Sequence, residues 1–517
     1  MLLSGFSNHG ALLKLNSDQK FIDFISISEP LIFILFVSIL LQSCDRTDDV
    51  LNPAIEVQDF VWKGLNAYYL HQEDIADLSD TRFSSDLQLE NYLVGFETPV
   101  DIFNSLKLPS DSRSLLIDDY TIEDSPLPLR SSFTTGMEFG LFKDPNRLDS
   151  IIGFVSHILP LSEASSDSIS RGDFFYAVIN EEADTIHLKE DNYRALLLNY
   201  PQDTLKLLMA NFNGDTLIVN NQRVDLVKKN YQYPPILLKK VFDLGVKKAG
   251  YLLYNNDFST NYIGDLNAAM QEFKNESVNE LIIDLRYAIG SHSFARTIAD
   301  IASMITGQFP NEILMKETWN EKAQIWFELN QPDSLNTKFP STLQNNETIN
   351  SLNLTDVYII LNGNGFNGSS ALELLINSLQ PYINVHVLGN TTRGDNLGSI
   401  SLYDSPDYDV FNSNLNHTYS LQPTVVTFSN NEDETYETGI IPTIQLCTVE
   451  DPLNLGELGE ITEPLLSEVL LYITTGNTGV TVSCNPFELE LIYISIDSQR
   501  LIDKGTFIKQ DLPNLGR

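Results

Sequence analysis

Twice the chain sets a guanidinium and a carboxylate on either side of a glycine, at Arg171-Gly172-Asp173 and at Arg393-Gly394-Asp395. Displayed on a loop, such a tripeptide is an adhesion motif. With glycine able to take a positive φ, it is as readily an ordinary turn. Ser370 stands three residues before Glu373 at the head of the apolar-striped run "SSALELLINSL". A serine and a glutamate at that spacing fit a capping box, in which each side chain satisfies an amide at the start of a helix. His292, in "AIGSHSFA", carries an imidazole that titrates near neutrality and can move a proton. No Cys-x-x-Cys, His-Glu-x-x-His or Asp-rich calcium loop occurs, so no metal or other cofactor is expected.

These residues need elements to hold them. At 517 residues the chain is too long for one compact core. Its formal charge of −38 gives an acidic exterior, which excludes nucleic acid and anionic lipid surfaces as partners. Residues 1–43 are read as a signal-peptide region, because the apolar run over 31–41 is too short to span a bilayer comfortably. It ends in Leu41-Gln42-Ser43-Cys44, which resembles a bacterial lipobox and implies cleavage before Cys44 and a lipid on its sulfur. An acidic tether follows over 44–54. Cys447 and Cys484 are then left to form one disulfide or to remain two buried thiols.

Apolar residues at helical spacing (Phe60, Leu65, Tyr68, Tyr69) predict a helical domain over 55–129. Short alternating runs such as "GMEFGLF", "IIGFVSHI", "DFFYAVI" and "TLKLLMA" predict a small, mainly β domain over 130–230. From 231 to 475 strands ("KKAGYLLYN", "VNELIIDLRY", "DVYIILN", "NVHVLGN") alternate with helices ("IGDLNAAMQEFK", "SFARTIADIASMIT", "SSALELLINSL"), the rhythm of an α/β core. The Asn-rich stretch 318–353 is expected to be a loop or lid inserted in it, and 476–517 a C-terminal segment.

Two of these stretches, "VNELIIDLRYAIGSHSFA" at 278–295 and "VYIILNGNGFNGSSALELLINSL" at 357–379, resemble signature segments of the tail-specific, or C-terminal processing, serine peptidases. The likeness extends over most of residues 55–517. It implies a multidomain α/β fold: a crotonase/Clp-protease-like core, an N-terminal helical domain and a PDZ-like domain. In the PDZ-like domain "GMEFGL" stands where such modules capture a peptide carboxylate, which puts Gly136, Met137, Glu138 and Phe139 at the peptide site. There the first Arg-Gly-Asp falls in a turn before a buried strand. The resemblance further implies Ser370 as nucleophile and Gly290 and Ala371 as oxyanion amides.

The general base of that family is a lysine 25 residues beyond the serine, where this chain has Asp395. The oxyanion segment departs as well, with Ala288 and Ser291 in place of the usual Asn and Gly. A carboxylate near pKa 4 is a poor proton acceptor for a serine. As an anion about 6 Å from a forming oxyanion it would also raise the barrier by roughly 3 kcal/mol at an effective dielectric of about 20. The expectation is a catalytically impaired peptidase relative that binds peptides or protein C-termini and is lipid-anchored in a bacterial cell envelope. The alternative is an active serine endopeptidase that uses His292 as its base.

Overall fold

The computed structural model describes residues 55–123, 131–166, 169–256, 258–289, 293–361, 368–445, 450–479, 489–495, 505–508, 512–513 and 515. The chain divides into two units at Pro53. All of the first unit, Cys44 included, lies outside the described residues, as do Cys447 and Cys484.

The second unit opens with helices Glu56–Tyr68, Asp86–Leu93 and Pro99–Ser105. The first carries Glu56 and Asp59 in its opening turn, where carboxylates favour the helix dipole, and buries Phe60, Val61, Leu65 and Tyr68. The third is closed by a capping box between Thr98 and Asp101. This region is not wholly helical. Strand Leu115–Ile117 pairs with Ser420–Gln422, some 300 residues on, in a three-stranded sheet.

Next comes an antiparallel sheet with strands Met137–Lys143, Ile151–Ile158, Phe174–Ile179, Thr204–Phe212 and Leu217–Val227 in consecutive order. Its apolar faces close over Leu141, Val155, Phe175, Leu207 and Leu226. Short strand Thr185–His187 pairs beside Phe174–Ile179, and a seventh strand, Leu491–Ile494, comes from the far end of the chain and lies along the outer side of Met137–Lys143.

The α/β part holds two six-stranded sheets. One runs Ile236–Asp243, Lys248–Tyr254, Glu280–Asp284, Asp356–Ile360, Asn384–Gly389 and Ile444–Gln445, parallel after its first pair. Its central strands are buried on both faces and read accordingly as near-continuous apolar runs. The other orders Ser293–Phe294, Thr506–Phe507, Leu397–Ser399, Thr424–Asn430, Ile313–Trp319 and Asn336–Lys338. Helix Ser370–Leu379 packs against Asn384–Gly389 in the first sheet and Thr424–Asn430 in the second, and all ten of its residues are buried.

Residues 318–353 are not a loop or lid. They contain helix Glu321–Asn330, capped by the Asn320 side chain on the Ala323 amide, and strand Asn336–Lys338. Asn320 also donates to the carbonyls of Ala67 and Tyr69 at 3.1 and 3.0 Å, so this stretch is bound to the first helix. Polar composition suggested a surface loop, but Trp319, Ala323, Phe327 and Phe339 are enough to give it a buried side.

Candidate functional site

Ser370 is the first residue of its helix, after Ser369 in extended conformation. The capping-box expectation fails here, because neither Ser369 nor Ser370 caps the helix with its side chain. Ser370 is fully buried, and its Oγ donates to the Leu397 carbonyl at 2.9 Å and meets Thr506 Oγ1 at 2.9 Å. A backbone carbonyl holds the serine proton in place but cannot accept it in a reaction. Among the described residues no lysine or histidine hydrogen-bonds to this oxygen. Ala371, the second helical residue, has an N–H without an acceptor inside the helix, as an oxyanion donor requires. Gly290 and His292 lie outside the described residues.

Glu373, the other half of the supposed capping box, turns away to the second Arg-Gly-Asp. Its two carboxylate oxygens accept the amides of Gly394 and Asp395 at 2.6 and 3.0 Å. Burial raises its pKa, opposed by a hydrogen bond from Thr392 and by the Gly394 amide. Asp395 is 6% exposed. Its carboxylate is ion-paired with Arg393 and with Arg113, which arrives from the N-terminal region. Gly394 takes φ +83°, and a Cβ there would stand 2.2 Å from the Glu437 carbonyl oxygen. Of the tripeptide only Asp395 is buried, Arg393 being exposed, and its carboxylate is held in ion pairs instead of being presented to a receptor. At the position of the expected base is a carboxylate already neutralised by two guanidinium groups.

The first tripeptide is used differently. Gly172 takes φ +88°, and the Asp173 side chain accepts the Ser170 amide at 2.8 Å, closing the turn. The Arg171 side chain extends into the α/β core. There it bonds Tyr287 Oη at 2.5 Å, the Gly456 carbonyl at 3.0 Å and the Glu450 carboxylate. Glu450 also meets Arg286 at 2.9 Å, and Arg286 is held in turn by Asp284 and Glu463, each at 2.7 Å. Both arginines and all three carboxylates are buried. Burial acts to raise Glu450, yet Arg171 and Arg286 outweigh it and lower its pKa to about 2. The opposite result holds for Asp284, whose pKa burial raises despite Arg286. Beside this cluster is a cavity of about 560 Å³, lined by Arg171, His157, Ile158, Leu238, Leu253 and Leu458.

The segment 136–139 lies at the start of strand Met137–Lys143. Gly136 has φ +83°, and a Cβ would clash with the Ser162 side chain at 2.1 Å. Its amide and that of Met137 donate to Thr134 and Thr135 Oγ1, each at 3.2 Å, and the Phe139 amide donates to Ser495 Oγ at 2.9 Å. The Glu138 side chain is buried and accepts from Tyr233 Oη at 3.2 Å and from the Ser495 hydroxyl.

Sequence reasoning missed Arg113, Thr506, Ser495 and the carboxylates Glu450 and Glu463. Only Glu463 had a readable signal, an acidic residue before Pro464 at the head of the apolar run "PLLSEVLLYITT", which marks the N-cap it occupies.

Residues 56–121 match the Peptidase S41 N-terminal domain family model. No curated protein matches the chain in sequence. Among solved structures, an S41 protease from Bacteroides fragilis NCTC 9343 superposes with a TM-score of 0.60 at 20% identity, over 81% of this chain and 97% of that one. The photosystem II D1 C-terminal processing protease gives 0.43 at 14% identity over 80% and 98% of the two chains. Mature CPAF complexed with lactacystin gives 0.37 at 12% over 82% and 98%. Residues 56–121 thus carry an S41 N-terminal domain, and the chain has the multidomain α/β fold of an S41 peptidase, the family its own motifs resemble.

Proposed function

We propose that this protein binds peptides or unfolded protein segments on a peptidase scaffold that no longer hydrolyses them. In this reading residues 130–230 are a PDZ-like module, the α/β part is a crotonase-like core, and Cys44 anchors the chain by a lipid in a bacterial envelope. The observation that carries it is the state of the two residues expected to act together. The Ser370 proton is given to a backbone carbonyl, and Asp395, in the place of the base, is locked in ion pairs with Arg113 and Arg393. Among the described residues no general base accepts this proton, and a nucleophile so held gains nothing from the scaffold around it. The cavity beside Arg171, apolar on several sides with a few polar groups, supports retention of binding.

The test is incubation of the purified full chain with denatured casein across pH 5–9, alongside Ser370→Ala. We expect no cleavage that depends on Ser370, while casein is still retained on the immobilised chain. Proteolysis by the wild type that disappears in Ser370→Ala would overturn the reading. For the anchor, Cys44→Ala should move the protein from the membrane to the soluble fraction, and unchanged fractionation would remove that part of the proposal.

A further inference from the structure

The antiparallel sheet is built from consecutive strands except on one side. Without Leu491–Ile494, strand Met137–Lys143 would be an edge with its amides and carbonyls unpaired, the form of surface that captures an extended segment from elsewhere. The occupant is the chain itself, across roughly 350 residues of sequence. It pairs antiparallel, with Leu491 opposite Phe142, Tyr493 opposite Leu141 and Ile494 opposite Gly140. The Lys143 amide adds a bond to the Glu490 carbonyl at 3.0 Å. Alternate side chains fill separate places: the Tyr493 ring lies 5.7 Å from Phe139 and 5.9 Å from Tyr193, and Ile494 packs on Ile289.

The end of this strand identifies what the edge recognises. Ser495 Oγ accepts the Phe139 amide and donates its proton to Glu138. A hydroxyl can do both, whereas a carboxylate is acceptor-only and would set a second negative charge against Glu138. Two such charges about 4 Å apart at an effective dielectric of about 20 weaken binding on the order of a thousandfold.

We propose that the edge of Met137–Lys143 is a binding site for extended polypeptide segments that place a serine or threonine hydroxyl opposite Glu138, that it discriminates against free C-termini, and that residues 491–495 are its resident ligand. This rests on the peptide-binding reading above and specifies its ligand. External segments must compete with the internal one, so the site is masked in the resting chain.

The experiment titrates the full chain with a fluorescent, end-capped peptide of its own residues 489–497, LELIYISID. A hydroxyl bonded to a charged group contributes enough that Ser495→Ala in the chain should tighten peptide binding by about tenfold or more. Replacing the serine of the peptide by alanine should weaken it by a similar factor. The truncated peptide LELIYI should bind at least a hundredfold less well as a free acid than as an amide, and Glu138→Gln should narrow that gap. In the wild type, independent of any variant's folding, saturating LELIYISID should speed hydrogen exchange at 491–495. Equal affinity of wild type and Ser495→Ala, a free acid that binds as tightly as the amide, or unchanged exchange under saturating peptide would each overturn the inference. If casein is retained while LELIYISID is ignored by both chains, this inference falls and the broader reading stands. If neither binds, both fall.

Discussion

Asp395→Asn isolates the charge that occupies the expected position of a catalytic base. The substitution keeps the shape of the side chain and removes its partnership with Arg113, whose own side chain is 13% exposed against 5% for Asp395. Removing one member of a buried ion pair costs about 3–5 kcal/mol, because the other charge stays in a poorly solvated place without that carboxylate. Arg393 is 44% exposed, so its pairing adds less than about 1 kcal/mol. The expected loss of about 3–5 kcal/mol is large against the 5–15 kcal/mol typical of a folded protein. Urea unfolding followed through tryptophan fluorescence, with Trp62, Trp319 and Trp326 as reporters, measures it at pH 7. Arg113→Met combined with Asp395→Leu should lose clearly less than the sum of the two single changes, with a coupling above about 1.5 kcal/mol. Asp395→Lys should be less stable than Asp395→Asn, since it turns attraction into repulsion of about 4 kcal/mol at about 4 Å and an effective dielectric of about 20, and it should not hydrolyse casein. The reasoning is refuted if Asp395→Asn unfolds within about 0.5 kcal/mol of wild type, or if Asp395→Lys is stable and cleaves.

Two further outcomes follow from the interior. Glu450→Gln should cost about 3 kcal/mol at neutral pH. The folded carboxyl titrates at about 2 instead of 4.5, so its contribution is complete above pH 4.5 and vanishes as pH falls toward 2; a gap from wild type that does not shrink over that range in acid-titrated melts would contradict the assignment. The two Arg-Gly-Asp glycines should also differ. Gly172→Ala meets nothing within 4 Å and should lose only about 1 kcal/mol, whereas Gly394→Ala drives its Cβ into the Glu437 carbonyl and should lose about 2–4 kcal/mol, and equal losses in thermal melts would be the wrong result.

Much of the architecture was legible because it rests on local pattern. The parallel strands announced themselves as short apolar runs, as in "ELIID" and "DVYII", and the helices between them by their stripes. Four strands of the antiparallel sheet were readable as well, in "GMEFGLF", "IIGFVSHI", "DFFYAVI" and "TLKLLMA". The candidate site was legible only as positions. Ser370 and Asp395 could be placed, but not the groups that determine their chemistry, because Arg113 and Thr506 reach them from 282 residues before Asp395 and 136 residues after Ser370. No periodicity records a partner at that separation. The same limit hid the acceptance of the 394–395 amides by Glu373 and the return of 491–495 to the antiparallel sheet, where a capping box and an open peptide site were the simplest local readings.

The pairing of Asp395 with two arginines also bears on how such a protein can change over time. Each guanidinium beside position 395 makes an acidic residue more favourable there and a basic one less so. A single substitution to lysine would meet Arg113 before it met a substrate, and would lose folding before it gained turnover. A lysine there would therefore require the arginines to change first, and their removal destabilises the chain. Under the non-hydrolytic reading proposed above, these neighbours would act as a ratchet against a lysine at 395, and selection on such a chain would act on what it holds.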